Sequence, residues 1–167
     1  MLPPEHLNVL RKLYSKLDGS EVNWVVTGSV SFCLQGVPVS PNDIDIQTDE
    51  SGAYEIERTF KDFLVREVKF SSTDRIRSHF GALMIDGVQV EIMGAIQKFY
   101  DGEWEDPIDI DRHKKIVTLE DMEIPVLNLS YEAEAYRRFG RLEMADRIKR
   151  YSDPSDRDVD RNGNEKN

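Results

Sequence analysis

A single cysteine, Cys33, leaves the chain without the means for an intramolecular disulfide framework, which excludes a disulfide-stapled scaffold and suits a reducing compartment. The three histidines, His6, His79 and His113, show no spacing of a zinc site. No apolar run approaches the roughly 20 residues of a membrane span. The opening MLPPEHLNVL lacks the basic and apolar regions of a secretory leader. Cations are scarce too: 22 Lys and Arg stand against 32 Asp and Glu, for a formal net charge of −10. That is the reverse of the footprint needed to grip long nucleic acid through its phosphates. The glycine-rich pattern G-x-x-x-x-G-K-[ST] is missing, so nothing supports Walker-type phosphate binding. These absences lead us to expect a cytoplasmic protein with neither membrane nor long nucleic acid as partner.

What is present is enough for one domain with a real core: 167 residues, 39% of them hydrophobic. PPEHLNVLRKLYSKLDG reads as a helix with Leu7, Leu10, Leu13, Tyr14 and Leu17 on one face, ended by Gly19. NWVVTG gives a short buried strand, and SVSFCLQG a short helix closed by Gly36. VPVSPN is a loop and DIDIQT a strand. SGAYEIERTFKDFL returns to helical periodicity, VREVKF alternates as a strand, and HFGALMIDGVQVEIMG reads as a hairpin turning at Asp86-Gly87. KKIVTLEDMEIPVLN suggests a further extended pair. Helices follow from Ser130, a plausible N-cap, with a break at Gly140. We expect a single α+β domain over residues 1–151: a mixed, mainly antiparallel sheet with helices on one face, plus C-terminal helices. Residues 152–167 are polar and poor in apolar side chains, the composition of a disordered tail.

Within DIDIQT, alternate strand residues share a face. Asp43 and Asp45 therefore point one way while Ile44 and Ile46 pack the other way. A bare D-x-D also fits the solvent face of an edge strand. Paired carboxylates repel and resist burial, yet become favourable when a divalent cation lies between them. Gly28-Ser29 lies between a strand and a helix, where backbone amides and a hydroxyl suit a phosphate, or form an ordinary turn. Glu91, in VQVEIMG, alternates with Val90 and Ile92 and is a third acid, or a surface glutamate.

An apolar strand, Gly28-Ser29, a short helix, Asp43-Ile44-Asp45 on the next strand and Glu91 on a later one resemble the polymerase-beta-like nucleotidyltransferase superfamily, in its small stand-alone forms. The motif-bearing part spans residues 20 to 95, with Glu91 where aspartate is often found. The resemblance implies transfer of a nucleoside monophosphate from an NTP to a hydroxyl acceptor, with pyrophosphate leaving. Asp43, Asp45 and Glu91 would be the catalytic residues and the ligands of Mg²⁺ (or Mn²⁺), with two ions about 4 Å apart. Glu91 would also help to deprotonate the acceptor. Gly28 and Ser29 would hold phosphates, and on this reading substitutions there leave metal binding at the aspartates in place. The acceptor would be a small molecule, such as an aminoglycoside or lincosamide, or a protein hydroxyl; the acidic surface favours a cationic small acceptor over RNA. The alternative is a non-enzymatic nucleotidyltransferase-fold partner in a toxin–antitoxin type assembly.

Outside the motif, Arg75 and Arg77, in SSTDRIRSHFG, are candidates to neutralise phosphate, or parts of a polar loop. His79 is not expected to bind metal, and Cys33 is expected to pack. Lys114, Lys115, Arg137, Arg138, Arg141, Lys149 and Arg150 read as solvated helix faces and ion pairs, or as cations some of which reach over the site to bind triphosphate or an anionic acceptor. Trp104 is better placed than Trp24 to stack on a base.

Overall fold

In the computed structural model, which describes residues 1–156, the elements are α1 (Pro4–Leu17), β1 (Trp24–Thr27), α2 (Gly28–Leu34), β2 (Ile44–Thr48), α3 (Glu50–Thr59), a 3₁₀ turn (Lys61–Phe63), β3 (Leu64–Ser72), β4 (Ile76–Ile85), β5 (Val88–Tyr100), β6 (Glu103–Trp104), α4 (Ile110–His113), β7 (Lys114–Leu119), β8 (Met122–Leu127), α5 (Leu129–Arg138) and α6 (Leu142–Arg150). The sheet runs β3-β4-β5-β2-β1-β8-β7, with β6 paired to β5. The β2–β5 and β1–β8 pairs are parallel and the others antiparallel, so the domain is α+β with a mixed, mainly antiparallel sheet.

Period-2 alternation divides the strands between two layers. Val26, Ile44, Ile46, Val90 and Ile92 pack with Leu10 and Leu13 of α1 and Ile56 of α3 in the main core. Val25, one residue from Val26, instead clusters with Ile110 and Leu127. Phe32 of α2 packs with Leu129, Ala133 and Ile148 of the C-terminal helices. Thr27 and Asp45 share the alternation of Val25 and pair across β1 and β2, which puts both on the face away from α1 and α3.

Several elements differ from expectation. The polar stretch before His79 is a loop only over residues 73–75: β3 continues to Ser72 and β4 begins at Ile76, pairing Ser71 with Ser78 and Ser72 with Arg77. The N-cap of α5 is Asn128, whose side chain accepts from the Tyr131 amide at 2.8 Å, rather than Ser130. α3 stops at Thr59 and gives way to the 3₁₀ turn. β5 runs on to Tyr100 through a bulge: His79 pairs with Gly94 but Arg77 with Gln97, and Ala95 takes φ 52°. One extra residue reverses the alternation, so Lys98 comes to the face that carries Glu91. Of the expected tail, Ser152 is buried and Lys115 lies 3.8 Å from Asp153 and 3.4 Å from Asp156; residues 157–167 lie outside the described residues.

Candidate active site

The site is built at one end of the parallel β2–β5 pair, where Asp45 stands opposite Glu91 in register. Asp43 immediately precedes β2 and is near enough for its charge to act on Asp45. Ile44 and Ile46, fully buried on the other face, fix the strand and so aim the acids. Asp45 is the constrained member. Burial first, then the charges of Glu91, Asp43 and Glu132 and a hydrogen bond with the Glu91 carboxyl, push its pKa up to about 8. Its Oδ1 is buried without a hydrogen-bond partner. Gln89 donates to Glu91 Oε1 at 3.1 Å.

Gly28 closes the other side. It opens α2 at φ 71°, a conformation that favours glycine. A Cβ added there would stand 2.5 Å from Asp45 Oδ2. The expectation that a larger residue at Gly28 leaves the aspartates undisturbed is therefore corrected: the glycine packs directly against the carboxylate. The Ser29 hydroxyl accepts from the Asn42 amide at 2.9 Å, tying the turn to the loop that delivers Asp43.

The structure adds Glu132, which the sequence reading missed. It is buried in the first turn of α5. Thr27 Oγ1 donates to its carboxylate, and so does the Gly28 amide, at 3.3 Å. Burial, against these hydrogen bonds and the Lys98 charge, pushes its pKa up to about 7. One helical turn on, Tyr136 faces the same way. Burial first, with the charges of Glu132 and Asp45 among its further causes, raises the Tyr136 phenol; Arg141 hydrogen-bonds it and opposes that rise. The Arg141 guanidinium carbon lies 4.6 Å from the Tyr136 ring centre. The only advance sign of the Glu132–Tyr136 pair was its i,i+4 spacing in YEAEAY.

Arg75 and Arg77 are not brought to the acids. Arg75 lies over the Phe139 ring at 4.7 Å. Arg77 shares the alternation of His79, which meets Tyr54 of α3, so it belongs to the opposite face. There it donates to Gln97 at 3.0 Å and lies 4.3 Å over Trp104. For Arg77 the reason is that it lies in β4, where alternation decides which way a side chain points; Arg75 lies in the turn between β3 and β4. Trp104 is engaged with Arg77 and with Phe99. His79 lies between Tyr54 and Phe70.

Whether these acids suit a divalent cation is a question of donor chemistry. Hard carboxylate oxygens, one of them buried and unsatisfied, match what Mg²⁺ takes from a protein: one or two carboxylates, with water and phosphate supplying the rest. Among the described residues no three His, Cys, Asp or Glu side chains are grouped so as to hold a metal ion by themselves.

Residues 9–151 match the aminoglycoside-2''-adenylyltransferase family. The chain belongs to this family. It is a nucleotidyltransferase. The crystal structure of TM1012 from Thermotoga maritima, provisionally named a nucleotidyltransferase, is similar at 57% identity and a TM-score of 0.81, over 90% of this chain and 94% of that one. The lincomycin-bound lincosamide adenylyltransferase LnuA shares the fold, with a TM-score of 0.56 at 11% identity over 90% of this chain and 99% of its own. A nucleotidyltransferase-like protein from Paracoccidioides brasiliensis does so with a TM-score of 0.52 at 14% identity, over 90% and 76%. No curated protein sequence matches the chain.

Proposed function

We propose that the protein transfers a nucleoside monophosphate from an NTP to a hydroxyl on a small-molecule acceptor, with Asp43 and Asp45 as ligands for Mg²⁺ and Glu91 as the third acid. The observation that carries this reading is the Asp45–Glu91 pair: two carboxyls in register, one with an unsatisfied buried oxygen, packed against the Gly28 turn. Paired acids held this way are costly unless a cation uses them. When bound, Mg²⁺ would supply charge neutralisation for the triphosphate.

The rest is work for the chain itself. The Ser29 hydroxyl, already accepting from Asn42, keeps its proton to donate to a phosphate oxygen. Arg141, on Tyr136, is the cation available to leaving pyrophosphate. The acceptor oxygen bonds to the α-phosphorus as the bond to the β-phosphate oxygen breaks, and Glu91 takes the acceptor proton. The family name and LnuA both attach small antibiotics to this fold, which favours a small acceptor over a protein hydroxyl.

The test is incubation with NTP labelled at the α-phosphate, Mg²⁺ and either a panel of hydroxylated small molecules or a cell extract. Label in a small-molecule product supports the reading. Label in protein would reassign the acceptor, and no transfer to either would remove the activity.

A further inference from the structure

Behind α5, on the side away from Glu132 and Tyr136, lies a cavity of ≈ 510 Å³. It is bordered by α5, α6, the far end of β5 and the α4 segment and opens to solvent, and none of Asp43, Asp45 and Glu91 lines it. Its composition is at odds with the rest of the molecule. In a chain of net charge −10, its lining holds five Lys or Arg residues against three Asp or Glu. Two of those acids and two of those cations are engaged with one another: Glu134 pairs with Arg137 and Arg138, and Glu105 with Arg138.

Lys98 is the cation set deepest. It is only 8% exposed, on the strand that the Ala95 bulge turned over. Its ammonium is 3.4 Å from the Tyr131 hydroxyl and 5.0 Å from the centre of that ring, and no carboxylate lies within ion-pair distance of it among the described residues. Tyr131 is in turn stacked on His113 at 4.2 Å, which fixes the wall that Lys98 rests on. Tyr100 and Ser130 also line the cavity, and the hydroxyl of each is buried without a hydrogen-bond partner. A buried ammonium beside unsatisfied hydroxyls is an expensive arrangement. Glu132 contributes a compensating charge from the far side of α5, but it spends its hydrogen bonds on Thr27 and Gly28. The Tyr100 and Ser130 hydroxyls can each donate, as the Lys98 ammonium does, so an anionic oxygen would satisfy them together.

We propose that this cavity is a second binding site, separate from the acids, for the phosphate or carboxylate group of a small molecule, with Lys98 as the anchoring cation and Tyr100, Ser130 and Tyr131 as hydroxyl donors. The site does not depend on the nucleotidyl-transfer reading, because its residues and those of the acid pair do not overlap.

The experiment uses the full chain in EDTA, so that no metal recruits anions to the acids. Inorganic phosphate and succinate are titrated in parallel, by calorimetry and by the ring resonances of Tyr131 and His113. Saturable binding of either anion, with shifts at both rings, is the expected result, and the anion that binds more tightly names the group. Lys98→Met should weaken that binding at least tenfold, whereas Asp45→Asn should leave it within twofold. Should Lys98→Met not fold, Ser130→Ala is the second variant, expected to weaken binding severalfold with a normal melting curve. Three results would overturn the proposal: neither anion binding, binding that leaves both rings unshifted, or binding equal in wild type and the folded lysine or serine variant.

Discussion

Gly28 and Asp45 are packed so closely that a single added carbon on the glycine would meet Asp45 Oδ2 at 2.5 Å. The two halves of the motif, 17 residues apart in sequence, are one contact. A side chain at Gly28 must therefore displace the carboxylate, besides occupying a left-handed backbone conformation. Gly28→Ala is expected to cost about 1–2 kcal/mol of stability from the backbone alone and to weaken Mn²⁺ binding and NTP binding together. Ser29→Ala should weaken only NTP, by roughly 1.5–3 kcal/mol. Parallel titrations of Mn²⁺ and of NTP check both; unchanged Mn²⁺ affinity in the folded glycine variant would show that Asp45 is not a ligand.

The elevated Asp45 pKa has a signed consequence for stability. Its ordinary value is 3.8, and the folded protein holds it at about 8. Between those values the native state keeps a proton that the unfolded chain has lost, so stability falls as pH rises through that window. Glu132, raised from 4.5 to about 7, adds to the fall within its own range. Metal-free protein should melt higher at pH 5 than at pH 8. Asp45→Asn should flatten the dependence and raise the melting temperature at pH 8 by at least about 2–4 °C, the equivalent of about 1 kcal/mol. Melting curves in EDTA across that range decide it; a wild-type profile that rises from pH 5 to 8 would contradict the burial of Asp45.

Glu132 holds both the Thr27 hydroxyl and the Gly28 amide. Glu132→Ala would strand these two donors and remove the negative charge that acts most strongly on Lys98. We expect a loss of about 2–5 kcal/mol in urea unfolding. Glu132→Gln keeps the shape and an acceptor oxygen, so it should lose far less. Equal losses in the two variants would show that packing, not hydrogen bonding, is what the residue supplies.

A chain ending after Ser152 loses the Lys115 pairs with Asp153 and Asp156. Partly exposed ion pairs contribute little. The melting temperature should fall by no more than about 5 °C, and a greater drop would make this segment part of the domain.

The acids were legible because strand alternation is written into DIDIQT itself, with isoleucines marking the buried face. The β4–β5 hairpin was legible from Asp86-Gly87, whose φ values of 48° and 81° are those the dipeptide is suited to. The extension of β3 and β4 was not. Ser71, Ser72 and Arg77 carry no apolar alternation, and their pairing is decided by the neighbouring strand rather than by propensity. The Ala95 bulge was hidden too, since alanine gives no sign of a positive φ. That one residue moves Lys98 to the acid-bearing face. Glu132 looked like any solvated helix glutamate; its burial comes from where α5 docks. Asn128 and Ser130 are both good caps, and the chain uses the earlier one.

On the function proposed above, Asp43 and Asp45 hold Mg²⁺ for a nucleotide. Calorimetry with a non-hydrolysable NTP at fixed Mg²⁺ tests it most directly, on wild type, Asp43→Asn and Asp45→Asn, each confirmed folded by its melting curve. Wild type should show measurable Mg²⁺-dependent binding and neither variant any. Equal affinity in all three, or binding by wild type that EDTA does not abolish, would contradict it.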